Sequence, residues 1–356
     1  MVTLSKPMIL VTGASGKTGG AVVAEFLRQG WPVRALVRQR DARAERLARM
    51  GAELAVADML DASAVHEALR GVQRAYWVAP FDPRALAAAR LFAAAAVEAR
   101  LEAVVSLGQW LASPDHPSLL TRHAYETERL LASLPGVLHV AVNPGFFADN
   151  YLRLIGFAAQ LGVLPSLTGD SRNAPPSNED IARVAVAALV DPGAHAGRRY
   201  RPTGPTLLST RDMAELLSDV LGRRVRRVEM PMWLFLKAAR MQGAGPYEMS
   251  GLRWYVTDHR QGAFEAGAPT DAVRALTGRE PEDFATIARR YAERPDARRT
   301  LGSQLRAWAD LMRTPLMPGY ALDRWDRRAG ITLPARPRFA LEDPDWRASH
   351  GASAAG

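Results

Sequence analysis

Three glycines at every third position follow the first apolar run of the chain. They are Gly13, Gly16 and Gly19, and a helical pattern begins directly after them. Gly13 permits a tight turn off a strand, Gly16 lets the main chain approach a phosphate, and Gly19 allows close packing of a helix on a sheet. The first turn of that helix would offer free N–H groups and a partial positive charge to an anion. The spacing predicts a dinucleotide-binding turn rather than a plain glycine-rich one, with contacts from Thr12, Gly13, Ser15, Gly16, Lys17, Thr18 and Gly19.

The end of the second apolar run indicates which dinucleotide is bound. Sites that select NAD usually carry Asp or Glu about 20 residues after the glycines, bonded to the ribose 2′-hydroxyl. Here Arg38 occupies that region and no acid precedes Asp41. An arginine can stack on adenine and pair with a 2′-phosphate, so NADP is predicted over NAD, although Arg38 as a solvated surface residue is the alternative. Asp58 and Met59, after the third run, are predicted to contact the adenine.

The elements that must position these residues are short apolar runs that alternate with helical patterns. Runs without strict polar alternation are typical of parallel strands covered on both faces, so the fold class is predicted as α/β, a doubly wound Rossmann sheet. Such sheets bind ligands beyond the carboxyl ends of their strands, which adds Ala79, Pro80, Ser106 and Gly108 to the predicted cofactor site. Strands are predicted at 8–11, 33–37, 54–57, 76–78, 104–107 and 138–142, and helices at 17–29, 42–50, 61–69, 84–100 and 119–134.

The pattern loosens after residue 150, where Pro and Gly become frequent. We therefore predict an NADP-binding domain at 1–150, a smaller and mainly helical substrate lobe at 151–332, and an extended or disordered tail at 333–356. Helices are predicted at 151–161, 178–190, 210–221, 231–241 and 281–292, with extended pieces at 199–202 and 224–229.

Composition excludes several classes of site. The 356 residues contain no cysteine, which excludes disulfides, thiolate metal sites and a cysteine nucleophile, and the seven histidines are too scattered to predict a metal site. No run is long and apolar enough to span a bilayer, and the start of the chain does not resemble a signal peptide, so we expect no membrane and a cytoplasmic location. The formal charge of +9 comes from 43 arginines and 3 lysines against 37 acids, a skew typical of coding bias. Nucleic acid is therefore not an expected partner, even with the basic run at 223–227.

Several motifs together resemble the NmrA-like branch of the atypical short-chain dehydrogenases, over about residues 7–292. They are VTGASGKTG at 11–19, VRALVR at 33–38, GAELAVAD at 51–58, ETERLL at 126–131, NPGFFADN at 143–150, EDIARVA at 179–185, LSDVLGRRV at 217–225 and LTGREP at 276–281. The resemblance implies that Pro144, Gly145 and Phe146 close over the nicotinamide, with Phe147 lining the site or only packing between lobes. It also implies that Asn150 and Tyr151 open the substrate pocket. Trp110, Trp233 and Tyr255 are further candidate walls of that pocket.

The catalytic pair of typical short-chain dehydrogenases, Tyr-x-x-x-Lys, is missing. Aligning the Glu-x-Leu-Leu motif puts the two positions at Leu120 and Ala124. Tyr125, which forms Tyr-x-x-x-Arg out of register, and His123 are the candidate proton donors. The resemblance then implies one of two functions: an NADPH-dependent reductase of an activated carbonyl, imine, enone or quinone, or a non-catalytic sensor of the NADP(H) redox state. A small-molecule substrate is expected, and the oligomeric state is left open.

Overall fold

The computed structural model describes residues 6–351 and is built around one seven-stranded parallel sheet. Its strand order is β3-β2-β1-β4-β5-β6-β9, the order of a Rossmann fold with a seventh strand added at the edge. Two small two-stranded sheets pair β8 with β10 and β7 with β11. The strands are β1 (Ile9–Val11), β2 (Val33–Val37), β3 (Glu53–Val56), β4 (Arg74–Trp77), β5 (Ala103–Leu107), β6 (Leu138–Val142), β7 (Val163–Ser166), β8 (Arg172–Asn173), β9 (Arg199–Tyr200), β10 (Leu208–Ser209) and β11 (Arg226–Glu229).

Helices cover both faces of the large sheet and form most of the second half. In the first half they are α1 (Lys17–Arg28), α2 (Ala42–Arg49), α3 (Ala62–Leu69), α4 (Ala85–Glu98) and α5 (Leu119–Ala132). Those that follow are α6 (Ala148–Leu152), α7 (Ile155–Leu161), α8 (Asn178–Val190), α9 (Pro192–His195), α10 (Thr210–Leu221), α11 (Met232–Met241), α12 (Pro246–Arg260), α13 (Ala272–Thr277), α14 (Phe284–Ala292), α15 (Leu301–Arg313), α16 (Leu322–Arg328) and α17 (Pro344–Ser349). None of the helices in 6–351 is both long and apolar enough to cross a membrane.

The predicted α/β fold is confirmed, because all six predicted strands are present and pair in parallel. Each begins and ends within two residues of its predicted bounds. The helix predicted at 151–161 is instead two helices, α6 and α7, interrupted at Arg153 and Leu154. Two elements beyond residue 150 pack with the large sheet and its helices. The strand β9 pairs with β6, and the helix α8 packs against α1. The domain boundary at residue 150 stays a prediction, but segments that follow residue 150 contribute to the sheet domain as well.

The prediction of an extended or disordered tail is wrong for residues 340–350. A 3₁₀ turn at Ala340–Glu342 leads into α17, and the Trp346 side chain is only 3% exposed. Its Nε1 donates a hydrogen bond to the Trp110 carbonyl oxygen at 2.9 Å, and its ring stacks on His350 with 3.9 Å between centroids. Burial of these rings outweighs the local preference of a proline-containing segment for extended chain. Residues 352–356 of the predicted tail lie outside the described residues.

Candidate active site

A cleft of about 530 Å³ lies at the carboxyl ends of β1, β4, β5 and β6. The crossovers of the sheet reverse direction between β1 and β4, and ligands of open α/β sheets bind at this kind of switch point. The cleft is lined by residues from both halves of the chain. The predicted residues among them are Gly13, Ser15, Gly16, Lys17, Thr18, Gly19, Ala79, Pro80, Gly108, Pro144, Gly145, Phe146, Phe147, Asn150 and Tyr255.

The glycine turn has the geometry that an anion site requires. Gly13 adopts a φ of +59°, a conformation that disfavours any side chain. A Cβ on Gly19 would overlap the Gly13 carbonyl oxygen and lie 2.8 Å from the carbonyl carbon. Gly16 is the N-cap of α1 and supplies no side-chain cap, so the first N–H groups of the helix have no side-chain acceptor. These donors fit the pyrophosphate of a dinucleotide.

Two polar side chains of the turn are tied to the second half of the chain. Lys17 forms an ion pair with Asp149, which also accepts a hydrogen bond from the Tyr291 hydroxyl. Thr18 Oγ1 donates a hydrogen bond of 2.8 Å to Asn178 Oδ1, at the start of α8. The floor of the cleft is therefore fixed to α6 and α8, and Lys17 is available to a ligand only in competition with Asp149.

The residues predicted to select the cofactor lie near the cleft but outside its lining. Arg38 is exposed at the end of β2 and makes no ion pair within the described residues. Asp41 caps α2 by accepting from two main-chain N–H groups, and it forms an ion pair with Arg43 at 2.7 Å. Its carboxylate oxygens therefore already have partners other than a ribose hydroxyl. Arg43 lines the cleft, although no motif or spacing singles it out. Asp58 is also outside the lining, with its Oδ1 accepting from Leu60 N, and so is Met59.

Two residues predicted to contact the cofactor are buried beneath the cleft instead. The Thr12 hydroxyl bridges to Val78, accepting from its N–H at 2.7 Å and donating to its carbonyl oxygen at 3.1 Å. Ser106 is 2% exposed, and its Oγ lies 2.9 Å from His139 Nε2. Both hydroxyls therefore stabilise the strand ends that support the lining rather than facing the ligand space.

Phe146 forms an aromatic wall whose back is held by a chain of hydrogen bonds. Its ring packs edge-on against Tyr151 and His259, at 5.3 and 5.6 Å between centroids. Ser171 Oγ donates to a main-chain carbonyl, so it accepts from His259 Nδ1, which leaves Nε2 to accept from the Tyr151 hydroxyl at 2.7 Å. Burial lowers the pKa of His259 to about 4, in agreement with a neutral ring. Tyr151 therefore stands behind the wall and does not itself open the pocket, contrary to the expectation above.

The two tryptophans predicted as substrate walls do not line the cleft. Trp110 is buried against Phe264 and Trp346, with its Nε1 donating to the Ala263 carbonyl oxygen at 2.8 Å. Trp233 lies on α11, is 56% exposed and packs under the Lys237 ammonium. Both predictions are wrong, because the Trp110 ring is buried in the core cluster behind the cleft wall and the Trp233 ring lies on the outer surface.

Neither candidate proton donor reaches the cleft. Tyr125 and His123 lie on α5, but the α5 residue that lines the cleft is Leu120, which occupies the position of the missing tyrosine. Burial and the nearby Arg122 and Arg90 guanidinium groups lower the pKa of His123 to about 4, so the ring is neutral near pH 7. The tyrosine that does line the cleft is Tyr255, whose pKa is raised by burial and by Asp258. It therefore stays protonated.

Other lining residues come from elements far apart in the chain. Asn178 follows a serine N-cap, and Asp149 sits in the NPGFFADN motif, so those two carried a weak local signal. Val78, Leu107 and Gln109 adjoin residues predicted at the strand ends, and the motif alignment marks Leu120. Nothing local points to the others, which are Phe81, Arg153, Glu248, Leu252 and Phe264.

Other kinds of site have little support. Across residues 6–351, no group of three or more His, Asp or Glu side chains is placed to hold a metal ion. In the basic run, Arg223 donates to the Ala159 carbonyl oxygen, and Arg227 pairs with Asp170 and Glu229. Two of its four arginines are thus engaged within the protein, away from a polyanion.

Comparison with known proteins identifies relatives of the whole site-bearing region. The sequence pattern of the NmrA-like family matches residues 5–106. A (4-alkanoyl-5-oxo-2,5-dihydrofuran-3-yl)methyl phosphate reductase from Streptomyces griseus is 34% identical over 289 residues, 80% of this chain and 98% of the relative. An NAD(P)H azoreductase from Xenophilus azovorans is 31% identical over 292 residues, with the same two coverages. The NADPH complex of an NADPH-dependent quinone oxidoreductase from Escherichia coli superposes with a TM-score of 0.68 at 25% identity, covering 79% of this chain and 98% of the other. The chain belongs to the NmrA-like family of NAD(P)-binding proteins.

Proposed function

We propose that the protein is an NADPH-dependent reductase that transfers hydride to an activated carbonyl, imine, enone or quinone. The observation that carries the proposal is the uncapped first turn of α1 at the switch point of the sheet, which opens into a cleft with aromatic walls. The relatives support it, because three of them are named for the reduction of a 5-oxo-2,5-dihydrofuran, an azo compound and a quinone. All three are unsaturated, electron-poor acceptors.

When bound, a nicotinamide cofactor supplies the hydride. The α1 N–H groups and the glycine turn bind its phosphates, and Gly108 and Gly145 line the cleft at the ends of β5 and β6. A Cβ on Gly108 would overlap Asn143 Oδ1, so a side chain there would require the Asn143 side chain to move. Phe146 and Tyr255 hold the acceptor against the cofactor and exclude water, which places the reacting atoms without requiring a strong acid.

The class of hydride acceptor can be inferred from the residue at the position of the missing catalytic tyrosine. Leu120 cannot donate a proton. Burial and the nearby Asp258 raise the pKa of the Tyr255 hydroxyl, which makes this group a weak proton donor. A simple ketone needs a positioned acid as hydride arrives, whereas quinones, enones and iminium ions accept hydride with less assistance. We therefore expect activated acceptors to be reduced and unactivated ketones to be left unchanged.

Replacement of Arg38 by alanine is expected to raise the KM for NADPH by about 10- to 100-fold, while the KM for NADH stays within about twofold. The reason is the loss of a charge-assisted contact to the 2′-phosphate, which NADH lacks. Steady-state kinetics with both cofactors measure the effect. Arg40→Ala is the matched control, because Arg40 is equally exposed in the same loop. Equal changes with both cofactors in the Arg38 variant would contradict this role.

The test of the proposed function is a screen of NADPH oxidation with a quinone, an enone, an iminium compound, an azo dye and a simple ketone. Turnover with at least one activated acceptor is expected. If NADPH binds tightly and no acceptor is reduced, the reductase proposal fails and the redox-sensor hypothesis takes its place. A sensor would also distinguish the oxidised from the reduced cofactor, which calorimetric titration with both forms measures.

A further inference from the structure

A second cavity, of about 460 Å³, adjoins the cleft on the side away from the glycine turn. Both cavities are lined by Arg153 and Glu248, whose Nη1 and Oε1 atoms lie 3.1 Å apart in an ion pair. The side chains of that pair are 38% and 34% exposed. An ion pair in contact with solvent contributes little stability, so this pair is a weak contact at the boundary that the two cavities share.

The walls of the second cavity fit an uncharged, apolar occupant. Its charged lining residues are Arg153, Glu248 and Glu229, and the last is paired with Arg260 at 2.6 Å and with Arg227 at 3.1 Å. No charge is left for an ionic ligand within the described lining. The other walls are mostly hydrophobic and include Leu154, Phe157, Leu234, Phe235, Trp308 and Leu311.

One wall of the cavity is α15, which lies beyond residue 292, where the resemblance to the family ends. No residue of α15 is buried, and it contacts mainly α7 and the 3₁₀ turn at Thr314–Leu316. Trp308 and Leu311, which face the cavity, remain 55% and 37% exposed. An apolar occupant would bury part of this surface, and burial of apolar surface favours binding.

We infer that the second cavity holds the apolar tail of the same molecule whose electron-poor end is reduced in the cleft, with the tail passing beside the Arg153–Glu248 ion pair that both cavities share. This inference rests on the proposed function, because it deepens the description of that substrate. The substrate class is then an activated acceptor that carries an uncharged alkyl or aryl extension. A compact acceptor would occupy the cleft alone.

The test uses 2-alkyl-1,4-benzoquinones with chains from methyl to heptyl. Binding to the protein–NADP⁺ complex is measured by calorimetry, and NADPH oxidation is measured in parallel. Each methylene that enters the cavity is expected to tighten binding about two- to fourfold, so heptyl, with six more carbons, should bind at least about 60-fold more tightly than methyl. Ala238→Trp places a ring in the cavity and is expected to reduce that ratio below about fivefold. Leu301→Trp is the control, because Leu301 lies on α15, is 81% exposed and does not line the cavity.

The two assays separate the inference from the proposed function. Methyl quinone turnover with no dependence of affinity on chain length would overturn the inference and leave the reductase proposal standing. A chain-length dependence that Ala238→Trp removes would support the inference, even if no quinone were reduced by the bound cofactor. A dependence that survives Ala238→Trp, or that Leu301→Trp also removes, would show that the tail binds elsewhere. If no quinone binds or reacts, both proposals fail for this acceptor class.

Discussion

Replacement of Gly19 by alanine is expected to weaken NADPH binding by at least about 100-fold. The added Cβ would lie 2.8 Å from the Gly13 carbonyl carbon and 3.1 Å from Ala14 Cα. Both contacts are with main chain, which cannot rotate away as a flexible side chain could, so α1 must shift from the turn. The phosphate-binding N–H groups lose their alignment, and overpacking of this kind typically costs about 1–3 kcal/mol of folding stability as well. Fluorescence titration with NADPH measures the affinity.

A neighbouring glycine provides the control for that variant. A Cβ on Gly20 would meet the Ala14 carbonyl oxygen at 3.3 Å, which a shift of a few tenths of an ångström relieves. Gly20→Ala should therefore bind NADPH with nearly unchanged affinity. If Gly19→Ala also binds within about threefold of the unmodified protein, the turn does not hold the phosphates as proposed.

Replacement of Trp346 by alanine is expected to lower the free energy of unfolding by about 3–5 kcal/mol, the usual range for a buried aromatic side chain. The ring packs against Trp110 and stacks on His350, and its loss leaves both in contact with a void. The hydrogen bond to the Trp110 carbonyl oxygen is lost as well. Urea unfolding followed by circular dichroism measures the change.

Trp233→Ala is the matched control for the same kind of truncation. That ring is 56% exposed, so its removal should change stability by about 0.5 kcal/mol or less. A Trp346→Ala loss as small as that of the control would mean that α17 does not stabilise the fold in solution. A large loss would establish that the last described helix is part of the core.

Local patterns were sufficient to predict the elements of the sheet. The runs that form β1 and β2 are almost entirely apolar and are followed by the polar residues Thr12 and Arg38, so the type and length of each strand are predictable to within a few positions. The glycine spacing predicted the turn for the same reason, since the steric requirement at Gly19 involves Gly13, only six residues away. Contacts of this kind leave a signal in a short segment.

The residues that the sequence did not predict depend on contacts between distant segments. Leu252 and Phe264 reach the cleft because α12 packs beside α5, and no spacing near them indicates a ligand. The proline-containing segment at 334–344 looks extended when judged locally, yet Trp346 after it is buried by a partner 236 positions earlier. For α5 the motif alignment was the better guide, since it put Tyr125 out of register and Leu120 at the site position, and Leu120 lines the cleft.

The hydrogen bond between Trp346 and Trp110 also bears on folding during synthesis, because it cannot form until residue 346 has been made. The segment that contains Trp110 connects β5 to α5, and Gly108 and Gln109 at its start line the cleft. At a translation rate of about 5–20 residues per second, the 236 intervening positions take roughly 10 to 50 s to make. A nascent chain therefore lacks the contact between Trp346 and Trp110 throughout that interval, and this contact behind the cofactor cleft forms only when residue 346 has left the ribosome.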